Sequence, residues 1–253
     1  TGGGTSNYAA NFKLNYDFNY KYNKLTVYNR ITADYGLTKN KGEEYTRKTS
    51  DILELNSIVG TKIKDSNWYY SFFMNFKTQF TDGYDYAKVD DVMVRTRKTD
   101  LFSPAYLQFG PGLLWKKSDN LKVNISPFAS RFTFVKKDFT RVGNDPVDIA
   151  EFNKTKYFGV EANKTNNFEL GAAVNAYYKF DIVENITAEN ILALYSDYLE
   201  KPENININYT LNVNMKINDY MSTNLTFQAI YEDTAIKAWQ IREVLGVGFS
   251  YNL

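Results

Sequence analysis

The chain predicts an all-β fold, an antiparallel transmembrane β-barrel of about 12 strands. Three observations carry this: strict two-residue alternation, strands of unusual length, and connections that alternate short and long. The alternation is plainest in Tyr8, Ala10, Phe12, Leu14, Tyr16, Phe18, Tyr20 and Tyr22, separated by Ala9, Asn11, Lys13, Asn15, Asp17, Asn19 and Lys21. A period of two puts one apolar and one polar face on a strand, where a helix would scatter both sets around its axis.

The same period returns along the chain. It runs through Leu25 to Tyr35, Leu53 to Ile63, Trp68 to Phe80, Leu107 to Trp115, Leu121 to Ile125, Phe168 to Phe180, Thr187 to Tyr198, Ile205 to Ile217, Leu225 to Tyr231 and Ile241 to Leu253. These make eleven strands, most about twice the usual soluble length of about 5 to 6 residues. A tilted strand crossing a bilayer needs about 9 to 11 and must lie in a closed sheet, because lipid offers an open edge no hydrogen bonds. A soluble up-and-down barrel or sandwich also alternates, but its apolar face points inward, and so aromatic a sheet would then need a large cavity to fill.

Connections alternate too. Asn23-Lys24, Asp65-Ser66, Ser118 to Asn120, Glu184-Asn185 and Asn218 to Ser222 are short; Gly36 to Thr46, Thr81 to Pro104, Val135 to Asn167, Leu199 to Asn204 and Asp233 to Trp239 are long. Outer-membrane barrels have short periplasmic turns and long outer loops. Trp68, Trp115, Tyr20 and Tyr220 then fall beside short turns and Trp239 at the opposite rim, as an aromatic girdle requires. With short turns periplasmic, eleven strands leave the two ends of the sheet running the same way. A twelfth strand ahead of Thr1 is therefore expected, in a single barrel domain spanning 1–253.

Turn geometry fixes register. A two-residue turn at Asn23-Lys24 sets Asp17 opposite Arg30 and Lys13 opposite Asp34; one at Asp65-Ser66 sets Glu54 opposite Lys77. These oppositely charged pairs, with Lys179, Lys216 and Arg242, are the expected lining of the interior. Lys116 opposite Lys122 is tolerable only near a wet mouth. Tyr69, Phe73, Phe128, Phe132, Tyr177 and Ile230 share the polar phase, so the interior is expected to be filled largely by side chains. Gly110-Pro111-Gly112 and Gly246-Val247-Gly248 are read as relief of strand curvature.

Composition bounds the chemistry. Of 253 residues 17% are aromatic and 23% charged, with 30 Lys+Arg against 29 Asp+Glu, a net charge of +1. Mean hydropathy is −0.46, which suits neither a helical membrane protein nor a disordered chain. A near-neutral chain gives no electrostatic reason to expect nucleic acid as partner. Cys and His are both absent, removing the thiolate nucleophile, the disulfide scaffold, the commonest general base and the commonest transition-metal ligand. No G-x-S-x-G elbow, P-loop or paired-carboxylate motif is present, so neither an enzyme nor a cofactor is expected. In the loop Thr81 to Pro104, Asp82, Asp85, Asp90, Asp91 and Asp100 could take calcium, and Arg95, Arg97 and Lys98 a lipopolysaccharide phosphate. A solvated loop is the favoured reading. Asp233-Thr234-Ala235 matches a short O-glycosylation sequon, on three residues alone.

Several segments together resemble a Bacteroidetes outer-membrane barrel family catalogued as a domain of unknown function. They are Arg47-Lys48-Thr49-Ser50-Asp51, Thr78-Gln79-Phe80 with Gly83-Tyr84, Ser103-Pro104-Ala105, Leu194-Tyr195-Ser196-Asp197-Tyr198, Lys216-Ile217-Asn218 and Glu243 through Tyr251. The family is similar in carrying an extra strand ahead of an Asn-Trp-x-x-Gly-Gly motif, and Gly2-Gly3-Gly4 falls where its glycines would. Its Trp is not in this chain, and its terminal aromatic is Leu253 here. The resemblance implies fold and an outer-membrane location, with no known activity. The expected role is a non-enzymatic accessory or structural subunit, in contact with outer-membrane lipid and lipopolysaccharide and docking a protein partner. The alternative is a narrow, weakly anion-preferring channel for small solutes.

Overall fold

The computed structural model describes residues 6–90, 92–232 and 238–249. In chain order these form β1 (Asn7–Asp17), β2 (Tyr20–Tyr22), β3 (Leu25–Asn40), β4 (Arg47–Lys62), β5 (Trp68–Thr78), β6 (Gly83–Val89), β7 (Val92–Thr99), β8 (Ala105–Ser118) and β9 (Leu121–Phe134). A single helix, α1 (Pro146–Thr155), follows, and then β10 (Asn166–Val183), β11 (Ile186–Asp197), β12 (Ile205–Lys216), β13 (Met221–Tyr231) and β14 (Trp239–Phe249). Every pairing is antiparallel, in the order β1-β3-β4-β5-β8-β9-β10-β11-β12-β13-β14, with β2 continuing β1 along β3 and β6-β7 forming a separate hairpin. The main sheet thus has eleven staves, and ten antiparallel steps leave its two edges, β1 and β14, pointing the same way. No ladder joins those edges among the described residues.

The register is the one turn geometry dictates. Asp17 lies opposite Arg30, Lys13 opposite Asp34, Glu54 opposite Lys77 and Lys116 opposite Lys122. Asn23 adopts φ 52° in the first short turn, a left-handed conformation that Asn tolerates better than most residues. Where β1 passes into β2, Asn19 and Asn29 clamp the break: Asn29 N donates to Asn19 Oδ1 at 3.2 Å, and Asn29 Nδ2 to the Phe18 carbonyl at 3.0 Å.

The sheet is strongly curved, because polar side chains on strands far apart in its order touch. Lys13 on β1 donates to Thr226 on β13, and Arg30 on β3 to Glu189 on β11. That shared face is concave. The apolar phase lies on the convex face, where Phe12 is 60% exposed, Tyr70 67%, Phe72 48% and Leu245 71%. An amphipathic sheet in water would curl the other way, around its apolar side.

A β-bulge in β9 alters one part of the sequence reading. Asn124 and Ser126 are buried on the concave face, but beyond Pro127-Phe128 it is Ala129, Arg131 and Thr133 that point inward. The pairing records this slip against both β8 and β10. Phe128 and Phe132, expected inside, therefore lie on the convex face, Phe128 at 62% exposure and Phe132 in a ring cluster with Phe109, Phe134 and Phe168. Gly110 sits against the bulge: a Cβ there would come within 2.3 Å of the Phe128 carbonyl. Close approach of two backbones, rather than relief of curvature, requires this glycine.

Candidate functional site

The concave face is the first candidate site, and its polar groups form three clusters. Nearest the short turns, Arg30 grips Asp17 through Nε at 2.6 Å and Nη2 at 2.9 Å, and reaches Glu189 at 2.9 Å. Tyr177 lies under the Arg30 guanidinium and also under the Lys122 ammonium. Lys116 and Lys122, the pair of like charges, both lie over the Tyr28 ring at 4.7 and 4.4 Å, and Lys116 also donates to the Tyr28 hydroxyl and to Asp119. An aromatic face and a carboxylate thus stand where an unshielded pair would repel. Asp119 lies outside the strands, and the hydrogen bond from Lys116 holds its carboxyl below the usual range.

At mid-height Asp34 is buried and accepts from Arg242 at 3.3 Å. Lys13 stands opposite Asp34 in register, yet its amine donates instead to Asn212 Oδ1 at 3.4 Å and Thr226 Oγ1 at 3.1 Å. The expected Glu54 to Lys77 contact is similarly replaced: Glu54 Oε1 accepts from Asn75 Nδ2 at 2.6 Å and Asn56 Nδ2 at 3.1 Å. Curvature brings distant strands within reach, and amides already on the same face compete for the carboxylate. The third cluster is Arg131 between Glu169 at 3.6 Å and Glu232 at 2.5 Å, with Tyr106 and Tyr195 flanking its guanidinium. Glu169 is the cross-strand neighbour of Arg131, whereas Glu232, just beyond the end of β13, is brought in by the curvature of the sheet and is not revealed by periodicity.

Between the clusters the interior is packed. Phe73, Ala129, Ala173 and Tyr195 form a buried group, with Ile58 against it, and Leu114 is fully buried beside Gly60. Tyr69, Tyr177 and Ile230 belong to the same concave phase. Lys179 is opposite Glu189, while Lys216 pairs with Asp219 at 2.7 Å at the mouth. Trp68 and Trp115 are cross-strand neighbours beside a short turn, Tyr20 and Tyr220 are largely exposed near the same end, and Trp239 packs on Tyr231 at the opposite end.

At that opposite rim the connections after β7 and after β9 interlock. Asp100 accepts from Lys136 at 2.5 Å and from Arg97 at 3.2 Å, binding the β7–β8 connection to the segment after β9. The Lys136 hydrogen bond holds the Asp100 carboxyl below the usual range. Phe139 stacks on Tyr157, whose half-buried phenol is pushed up to about 12 by partial desolvation and donates to the Lys98 carbonyl. Of the acidic residues of 81–104, Asp82 lies beside Asp100 and accepts from Tyr84, Asp85 pairs instead with Lys98, and Asp91 lies outside the described residues. Among the described residues no cluster of three His, Cys, Asp or Glu side chains could hold a metal ion. Asp233-Thr234-Ala235 also lies outside the described residues.

Residues 1–84 match the model of a family described as a protein of unknown function, DUF3078. The match runs from the start of the chain through β5 to the beginning of β6, so the segments quoted for the resemblance beyond Tyr84 lie outside it. No curated protein and no solved structure matches the chain. No helix among the described residues is long and apolar enough to cross a membrane, which says nothing of strands.

Proposed function

We propose that the chain is a twelve-stranded outer-membrane β-barrel with a filled interior, acting as a non-enzymatic accessory or structural subunit. The observation that carries this reading is the sidedness of the sheet. Ion pairs and amides meet across the concave face, while Phe12, Tyr70, Phe72, Ile125, Phe168, Leu245 and Val247 stand exposed on the convex one. Fully burying one such side chain is worth about 1.5–3 kcal/mol, so a whole face of them left in water forfeits far more than the cross-strand pairs return. Acyl chains are the medium that suits it, and a twelfth strand antiparallel to both β1 and β14 would leave no edge open to lipid.

The role follows from what fills the middle. Phe73, Leu114, Ala129 and Tyr195 fill the space a diffusion pore would need, and Arg30, Arg131 and Arg242 on either side are held by carboxylates. A narrow channel for small anions is the second reading, favoured by the excess of cations among Lys13, Asp17, Arg30, Asp34, Glu54, Lys77, Lys179, Lys216 and Arg242. Planar-bilayer conductance separates the two. The subunit reading expects no stable steps and a partner that co-purifies from native membranes; sizeable anion-selective steps would overturn it.

A further inference from the structure

The hairpin β6–β7 leans on the outer end of the sheet and builds a second site, independent of the filled interior. Because Asp34 points inward, its strand neighbours Tyr35 and Leu37 face outward, and Lys48, opposite Leu37 across a register shift, shares their face. Over them lies a recess of about 600 Å³ lined also by Thr81, Asp82, Tyr84, Tyr86 and Arg95. The Arg95 guanidinium lies over two rings, 4.5 Å from the Tyr84 centroid and 4.9 Å from that of Tyr45. Among the described residues no carboxylate pairs with it. Contact with two rings restrains a guanidinium while leaving its N–H fork for an anion, which it can grip in two places.

The other cations nearby are spoken for: Lys48 holds Asp51 at 2.6 Å, and Arg47 holds Glu43 at 3.1 Å while covering Tyr86. Arg95 is therefore the group left for a ligand. A recess of this size falls in the usual range for small-molecule sites and is far larger than a bare ion needs. Its tyrosines, Asp82 and Thr81 offer ring faces, hydroxyls and an acceptor, which suit a polyhydroxylated molecule better than an apolar one.

We propose that this recess binds a phosphorylated sugar, with Arg95 on the phosphate and Tyr84 and Tyr86 against the sugar. The ligand could be a free sugar phosphate or the headgroup of a glycolipid; only the latter source rests on the membrane reading above. The test uses the detergent-solubilised full chain and four probes: glucose 1-phosphate, glucose, inorganic phosphate, and nanodiscs containing lipid A. Titration calorimetry should give saturable binding of glucose 1-phosphate, at least tenfold weaker in Arg95→Gln, with Arg95→Lys in between. Glucose should bind far more weakly. Retention of lipid A from nanodiscs by the wild-type chain and its loss in Arg95→Gln would assign the source as a glycolipid; retention unaffected by the substitution, with sugar phosphate still bound, would assign a free ligand. Absence of glucose 1-phosphate binding, equal binding of inorganic phosphate, or an Arg95→Gln chain that binds as well as wild type would each overturn the proposal. The Asp34 to Arg242 pair lies on the other face, so unchanged thermal unfolding of Arg95→Gln separates lost binding from lost fold.

Discussion

Arg242 on the last stave and Asp34 on the second meet at 3.3 Å, so one ion pair spans the unpaired edges of the sheet. Asp34 is nearly inaccessible and Arg242 about a third exposed. Removing the cation leaves a buried carboxylate without its charged partner, a cost of about 2 kcal/mol for a charge-assisted bond only partly screened from water. Arg242→Ala should lower the urea midpoint of the reconstituted protein accordingly. Asp34→Asn combined with Arg242→Ala should cost less than the sum of the singles, read from a double-mutant cycle.

The Asp17 to Arg30 pair makes a milder case. Asp17 is half exposed, so its coupling should be about 1 kcal/mol, and weaker still at high salt. Reversing both charges should recover part of what either single reversal loses. Recovery will be incomplete, because an acid at position 30 would face Glu189 at the distance where Arg30 now pairs with it.

Two glycine substitutions should behave oppositely. A Cβ on Gly171 would lie 1.9 Å from the Ser196 carbonyl, so Gly171→Ala must push β10 and β11 apart, at about 1–3 kcal/mol or more. Gly246 has nothing within 4 Å of the same position, and Gly246→Ala should be close to neutral. Thermal unfolding followed by gel mobility distinguishes them.

The rim should loosen in acid. Hydrogen bonding from Lys136 depresses the Asp100 carboxyl in the folded chain. A depressed acid contributes stability that is fully present above its unfolded value of about 3.9 and is lost as pH falls through the lower folded value. Limited proteolysis of 99–104 and 135–140 should therefore accelerate below about pH 4, and Asp100→Asn should show that acid behaviour already at pH 7.

These predictions separate what alternation could reveal from what it could not. Staves and register were legible because period two and short turns are local, and they set Asp17 against Arg30 without any knowledge of curvature. The partners of Lys13, and Glu232 beside Arg131, were not, since they depend on how far the sheet rolls, and Glu54 was claimed by the nearby amides of Asn56 and Asn75. The phase error at Phe128 and Phe132 had a visible cause in Pro127, a residue that marks bulges in strands. The loop 135–167 hid α1, although Asp145 followed by Pro146 is a helix start, with Asp145 Oδ1 accepting from Val147 N at 2.8 Å. Hairpin β6–β7, read as a solvated loop, carries its own alternation, with Tyr84 and Tyr86 opposite Arg97 and Arg95, and Ala87 and Val89 opposite Val94 and Val92.

The orientation of the two faces can be measured directly, because the chain has no cysteine of its own. Nitroxide labels would be placed singly at Phe72 and Leu245 on the convex face, at Asn208 and Thr226 on the concave face, and at Lys41 in a loop. In lipid bilayers the convex labels should be relaxed by oxygen and shielded from a water-soluble nickel chelate, while Lys41 shows the reverse. Convex labels as open to the chelate as Lys41, with oxygen contact strongest at Asn208 and Thr226, would contradict the account.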